Sequence, residues 1–583
     1  VHENGGRICM QILHSGRYGY HPFTVAPSPI RSPITPFKPK GLSSRGVKGQ
    51  VSDFVRSAKL AKKAGYDGVE VMGSEGYFIN EFTTRRVNKR DDEWGGDAEA
   101  RYRIAVEIVR GIREAVGPDF IIIYRLSLLD LVPEGNSWDE IVAQAKAVEA
   151  AGATIINTGI GWHEARIPTI AAVVPRAAFT WVTARLRGHV QVPLITSNRI
   201  NTPEVAEAVL ARGDADMVSM ARPLLADPQF LRKAAEGRSD DINTCIACNQ
   251  ACLDHIFEGK IATCLVNPRA CHESELPHTP TATRLKVAVV GAGPAGMACA
   301  VTAAERGHRV TLYEQAEALG GQLRLAVAVP GKQEFKETLR YFERRIDQTG
   351  VAPRFGDRVD APTLLNEGFD AVVLATGVVP RGIAVPGADH PKVLGYGEVL
   401  SGRVGVGHTV AVIGAGGIGF DVAAYLAHAR PEGDPRSEYL RHWGIDEAYR
   451  QAGGLAQSGQ TAAPALRKVY LLQRSSTKIG AGLGKTTGWI HRALLRQYGV
   501  SMINGVRYDR IDDAGLHITV KARSETLAVA NIVVCAGQES QRELYAPLKQ
   551  AGLKVHVIGG AERAAELDAQ RAIEQGVRLG LRL

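Results

Sequence analysis

Two short glycine patterns, GAGPAG at 291–296 and GAGGIG at 414–419, constrain this chain more than any other feature. Each follows an apolar, β-branched run (LKVAVV and TVAVI) and opens a helix-forming stretch. Glycines at the first, third and sixth places allow a tight strand-to-helix turn whose backbone approaches a pyrophosphate at a helix N-terminus. After Gly291, Gly293 and Gly296 comes the strand RVTLYE, closing on Glu314, where an acid accepts hydrogen bonds from ribose hydroxyls. Alone, the glycines mark a tight turn; with strand, helix and acid they predict dinucleotide binding. After Gly414, Gly416 and Gly419 the next strand, KVYLLQR, ends in Gln473 and Arg474 instead of an acid. An arginine there can pair with the 2′-phosphate of NADP, with Lys478 nearby, so NADPH is expected; the alternative is a solvated surface charge.

The rest of the 583 residues must supply further domains, three or four in all at about 150 residues each. With 22% charged and 45% hydrophobic residues, chain-wide disorder is excluded. The net charge of +9 is spread along the chain without a basic arm or stripe, so small anionic ligands account for it better than nucleic acid does. No run reaches the roughly 18 apolar residues of a membrane span. The opening VHENGGRICM lacks an N-terminal signal pattern, and the expected location is cytoplasmic, without membrane insertion.

Up to about residue 235, short apolar runs alternate with amphipathic helical stretches, the pattern of an α/β fold on a parallel sheet. Six strands are expected: RICMQILH, DGVEVMG, FIIIYRLS, ATIINTG, VPLITSNR and ADMVSMAR. Six do not close a (β/α)8 TIM barrel, so the reading is an N-terminally incomplete barrel whose first two units lie upstream of Val1. A barrel places its chemistry at the carboxyl ends of its strands. There stand Tyr77, whose phenol could protonate a carbanion, and His163, after IINTG; either alone would more often be a packed aromatic or core histidine. Gln11, Arg125, Arg199 and Arg222 also end strands, and the loops after the last two strands commonly bind phosphate. TTRRVNKRDD reads as a solvated loop or a contact for an acidic substrate tail.

Five of the eight cysteines are crowded together, four of them as C-x2-C-x3-C-x11-C: Cys245, Cys248, Cys252 and Cys264. Three thiolates on one short loop suit a 4Fe-4S cluster; zinc, more often held by two separated pairs, and buried structural thiols are the alternatives. Cys271 falls outside the spacing and reads as a packing thiol. The expected domains are a barrel over 1–240, a cysteine segment over 241–275, dinucleotide-binding segments over 285–405 and 535–583, and an NADPH domain over 406–534. Within the last, 430–467 reads as a polar excursion.

QILHSGR, EGYFINEF, RDDEWGG, RLSLLD, SNRI and MARPLLADP resemble the FMN barrel of the old yellow enzyme family. GGQL at 320–323 and DAVVLATGVVPR are similar to FAD segments of two-dinucleotide flavoprotein reductases, which brings in Gln322. With CIACNQAC, CLVNPRAC, both glycine motifs and GLGKTTGWIHR, the chain resembles the bacterial NADPH-dependent 2,4-dienoyl-CoA reductases, iron-sulfur flavoproteins of unsaturated fatty-acid β-oxidation. The resemblance implies that Tyr77 is the proton donor and His163 its partner. It makes Gln11, Arg125, Arg199, Ala221 and Arg222 FMN contacts, and the four cysteines ligands of the cluster. It implies an acyl-CoA substrate and electron flow from NADPH through FAD, cluster and FMN. A related enoate reductase, an amine dehydrogenase and a diaphorase-like electron-transfer remnant with an inactive barrel are the other expectations.

Overall fold

The computed structural model describes residues 1–429, 433–461, 465–565 and 568–583. They form two compact units: one of 1–170, 174–220 and 433–461, the other of the remaining described residues.

The first unit is built on six parallel strands, in the order Cys9–Ile12, Gly68–Gly73, Ile121–Leu129, Ile155–Ile160, Leu194–Thr196, Met217–Val218. Each of these strands starts within one of the six apolar runs of the sequence, and Ile121–Leu129 and Ile155–Ile160 extend past the ends of FIIIYRLS and ATIINTG. Val69, Val71, Ile122, Tyr124 and Ile156 are fully buried on this sheet, as expected where helices cover a parallel array. The covering helices start where short polar side chains satisfy free backbone N–H groups. Ser43 caps Ser44–Lys63, Asp97 caps Ala98–Val116, and Thr202 precedes Pro203–Ala211. Ser137 and Glu140 form a reciprocal capping box on Trp138–Ala150.

Residues 433–461 lie in sequence within the second nucleotide unit yet belong to the barrel unit, a correction to the excursion expected of 430–467; residues 465–467 group with the second unit, and 430–432 and 462–464 lie outside the described residues. Backbone groups anchor this segment: Gly453 N donates to Asn136 O at 2.8 Å and Leu131 N to Gly453 O at 2.9 Å. The Tyr439 hydroxyl donates to Pro168 O and Arg185 Nη1 to Glu447 O.

The second unit holds two parallel five-stranded sheets. The first runs Ala352–Phe355, Arg309–Glu314, Lys286–Val290, Ala371–Leu374, Val555–Val557, the last of these pairing in parallel with Ala371–Leu374. The second runs Val393–Gly395, Asn531–Val534, Thr409–Ile413, Lys468–Leu472, Ser501–Ile503. Its outer strand Val393–Gly395 precedes the boundary expected at 405/406, because that short strand pairs with Asn531–Val534. The three-stranded antiparallel sheet Val506–Asp512, Gly515–Val520, Arg523–Leu527 follows the last of these strands. Among the described residues, no helix is long and apolar enough to cross a membrane.

Candidate active site and nucleotide sites

In the barrel unit, Tyr77 and His163 meet at the strand ends. Tyr77 sits in extended backbone as the residue capping Phe78–Thr83. Its ring centroid lies 4.9 Å from that of His163, edge-on at 74°. Glu75 takes a left-handed φ of 61°, unusual for a residue with a Cβ, and its carbonyl accepts the His163 backbone N–H at 3.3 Å. The Glu75 carboxylate accepts from Arg125 Nε at 3.1 Å and Nη2 at 2.8 Å. Burial, and then the Glu75 charge, push the Tyr77 phenol up to about 12, against the pull of Arg125. Desolvation lowers the His163 imidazole, with Arg125 adding to the shift and Glu75 opposing it. Both groups are therefore neutral near pH 7, one holding a proton it can donate.

Gln11 extends the same arrangement across neighbouring strands. Its Nε2 donates to Glu70 Oε1 at 2.6 Å, and Asn157 Nδ2 donates to Glu70 Oε2 at 2.7 Å. Asn157 Oδ1 is buried without a hydrogen-bond partner, an acceptor suited to a polar ring edge. Arg199 is buried with φ 58° and donates from Nε to Val174 O at 2.8 Å. Arg222 departs from the expectation that it ends a barrel strand. That strand stops at Val218; Ala221 caps the helix Arg222–Ala226, and both residues group with the second unit. There Arg222 Nη1 donates to Asn249 Oδ1 at 2.5 Å.

Sequence reasoning missed the charges that support the pair. Glu164, next to His163 and fully buried, is bound by Arg17 at 2.6 Å and Arg86 at 2.7 Å and accepts from the Tyr18 hydroxyl at 3.2 Å. The Tyr18 ring stands 6.0 Å from Tyr77 and 5.8 Å from His163. The signals were present in EGYFINEF and in the HSGRY and HEAR strings, but pairing of residues so far apart in sequence is a tertiary fact.

In the second unit, Gly291, Gly293, Glu314 and Gln322 line one cavity of about 540 Å³, within the range of small-molecule sites. A Cβ at Gly296 would lie 1.8 Å from Gly291 O, whereas Gly293 faces open space, the cradle a phosphate needs. Glu314 also stabilises its own turn, accepting Ala292 N at 2.8 Å and Ala316 N at 3.0 Å. Gln322 Oε1 accepts from Gln538 Nε2 at 3.3 Å. The helix after the second glycine turn contributes Gly417, Ile418 and Asp421 to the same cavity. Gln473 Nε2 is used locally on Ser475 O and Thr477 O, while Arg474 and Lys478 are exposed and form no ion pair among the described residues.

Cys245, Cys248, Cys252 and Cys264 line one small pocket with Arg222 and Asn249; Cys271 lies outside it and is exposed. Among the described residues no three His, Cys, Asp or Glu side chains are grouped to hold a single ion. Four thiols lining one pocket are the donor set that an iron–sulfur group or a structural zinc takes. Burial, and then the neighbouring thiols, push the Cys248 thiol well up; an iron core would reverse that repulsion. Cys248 also lines the larger cavity.

A parallel strand-and-helix unit and paired glycine turns, the latter in a unit that also holds a four-thiol pocket, are the parts of a flavin- and pyridine-nucleotide-dependent oxidoreductase. Residues 1–241 match the NADH:flavin oxidoreductase / NADH oxidase family, and 285–569 match the pyridine nucleotide-disulphide oxidoreductase family. A metal reductase of Desulforamulus reducens is 36% identical over 96% of this chain and 84% of its own length. A cinnamate reductase of Clostridium sporogenes is 32% identical over 73% of this chain and 67% of its own. A solved 2-naphthoyl-CoA reductase superposes with a TM-score of 0.89 at 30% identity, covering 100% of this chain and 86% of that one. The chain belongs to the NADH:flavin oxidoreductase / NADH oxidase family and is an oxidoreductase acting with NAD(P)H. Its two family regions imply FMN in the first and FAD with NAD(P)H in the second.

Proposed function

We propose that this enzyme reduces a carbon–carbon double bond conjugated to a thioester carbonyl, using NADPH, with 2,4-dienoyl-CoA of unsaturated fatty-acid β-oxidation as its substrate class. The observation that carries the reading is Tyr77, a phenol kept protonated beside neutral His163 and the Arg125–Glu75 pair. Gln11, Arg125 and Arg199 would hold FMN, with Asn157 Oδ1 as a further acceptor. Gly291, Gly293, Gly296, Glu314 and Gln322 would hold FAD, and Cys245, Cys248, Cys252 and Cys264 a 4Fe-4S cluster. Gly414, Gly416, Gly419 and Arg474 would bind NADPH. When bound, these groups supply hydride and single-electron transfer between nucleotide and acceptor.

The chain's own residues supply positioning and the proton. Arg125 fixes Glu75, whose charge helps keep the proton on Tyr77 Oη. Tyr77 delivers that proton to the α-carbon of the substrate, where the thioester carbonyl delocalises negative charge. His163 packs edge-on against the phenol without adding charge. The cinnamate reductase and 2-naphthoyl-CoA reductase support this reading by their names, an unsaturated acid and an aromatic CoA thioester.

Protein carrying both flavins, kept anaerobic, should oxidise one NADPH per 2,4-dienoyl-CoA and release an enoyl-CoA. Consumption of free cinnamate-type acids alone would instead identify an enoate reductase, and oxidation of N-methyl amines an amine dehydrogenase. The contact of Cys248 with both the large cavity and the cysteine pocket favours one further reading, an electron-transfer module; dye reduction without enoyl reduction would establish it.

A further inference from the structure

No residue of the GLGKTTGWIHR segment at 482–492 has a role in the sites described above. Its first half is tied to the cysteine segment: Thr486 N donates to Asp254 Oδ1 at 2.8 Å, and a Cβ at Gly484 would lie 2.4 Å from Asp254 Oδ2. Its second half opens the helix Gly488–Gln497, which carries His491 into the large cavity. Beside His491 in that cavity are Asp421, on the helix that follows the second glycine turn, and Lys332, which precedes helix Phe335–Thr349. Lys332 Nζ and Asp421 Oδ2 are paired at 2.6 Å. Among the described residues the His491 imidazole makes no hydrogen bond, although it lines a cavity shared by both glycine-turn helices.

We infer that His491, set beside the Lys332–Asp421 ion pair, receives the nicotinamide end of the dinucleotide held by the second glycine turn. The inference rests on the NADPH reading of that unit. A neutral imidazole offers one donor and one acceptor, the complement of a carboxamide's acceptor and donors. Loss of a hydride (one proton with two electrons) to a flavin leaves the nicotinamide ring positively charged. Asp421 favours that charge, and an imidazolium at His491 would oppose it. Burial lowers the imidazole to about 4, with Lys332 and Arg492 pushing it down further and Asp421 opposing, so it stays neutral at working pH.

The test uses the FAD-loaded full chain, with NADP⁺ affinity read by flavin fluorescence and NADPH-driven dye reduction read anaerobically. His491→Phe should weaken NADP⁺ binding and slow dye reduction by about tenfold each, the loss of one good hydrogen-bonded contact, with FAD content unchanged. His491→Asn, which keeps a donor and an acceptor, should restore both to within about threefold of the original. Dye reduction by the unsubstituted protein should be level between pH 6 and 9, since the imidazole does not titrate there. If the phenylalanine disturbs FAD content, His491→Ala must show the same tenfold loss of nucleotide affinity. Unchanged affinity in the substituted proteins overturns the inference. Failure of the unsubstituted protein to oxidise NADPH overturns the reductase reading itself.

Discussion

At the first glycine turn Gly291 takes φ 105°, and a Cβ there would lie 2.4 Å from Ala375 O; at the second, Gly414 takes φ 106° with Cys535 O at 2.3 Å. The sixth-place glycines agree as well, with a Cβ at Gly296 or Gly419 falling 1.8 or 1.7 Å from the first glycine's carbonyl. The two units part at the end of the next strand. Glu314 turns back to bind Ala292 N, whereas Gln473 is spent on its own loop and Arg474 stands exposed. Both turns thus have the close backbone approach a pyrophosphate requires, and we propose that the strand end decides which nucleotide each takes.

The comparison breaks most sharply at the sixth glycine. Gly296→Val should strip FAD from the protein, while Gly419→Val should keep FAD and weaken NADPH binding by about 10- to 100-fold, as about 1–3 kcal/mol of overpacking implies. Flavin content and NADPH titration read the two separately, and joint loss of both nucleotides in either variant would deny that the units bind different ones. A smaller effect is expected at the strand end, where Arg474→Ala should cut the preference for NADPH over NADH by roughly 10-fold, the value of a charge-assisted hydrogen bond. Unchanged preference would leave Arg474 a surface charge. The smallest is at Glu314→Gln, which keeps an acceptor for Ala292 N but loses the charge. FAD affinity should fall by about threefold, measured by apoprotein reconstitution.

Most of the scaffold was legible because local signals agree with the fold. The apolar runs located all six barrel strands, and both glycine patterns stand between the strand and helix they predict. The segment 433–461 was not legible: hydrogen bonds at Gly453 N and Tyr439 Oη seat it on the barrel unit, and they leave no periodic pattern. The strand Val393–Gly395 is too short to show alternation, so the second nucleotide sheet starts earlier than its glycine motif suggests. Tyr77 and His163 could be nominated from strand ends, but their supporting charges could not. Glu75 acts through a left-handed backbone that side-chain chemistry does not announce, and Glu164 depends on Arg17 and Arg86 from segments distant in sequence.

The proposed mechanism requires that Tyr77 protonates the substrate while the nucleotide half works independently of it. It is tested most directly by measuring NADPH-dependent reduction of a 2,4-dienoyl-CoA and of a dye side by side, in the original protein and in Tyr77→Phe. Enoyl formation should fall by about 10²- to 10⁴-fold, the value of a general acid, with dye reduction unchanged. Because the phenol is pushed up to about 12, proton donation in the original protein should persist from pH 7 to about 10, beyond which an ordinary tyrosine would already be losing its proton. Tyr77→Phe that reduces the dienoyl-CoA as fast as the original protein, or that loses dye reduction in equal measure, would contradict the account.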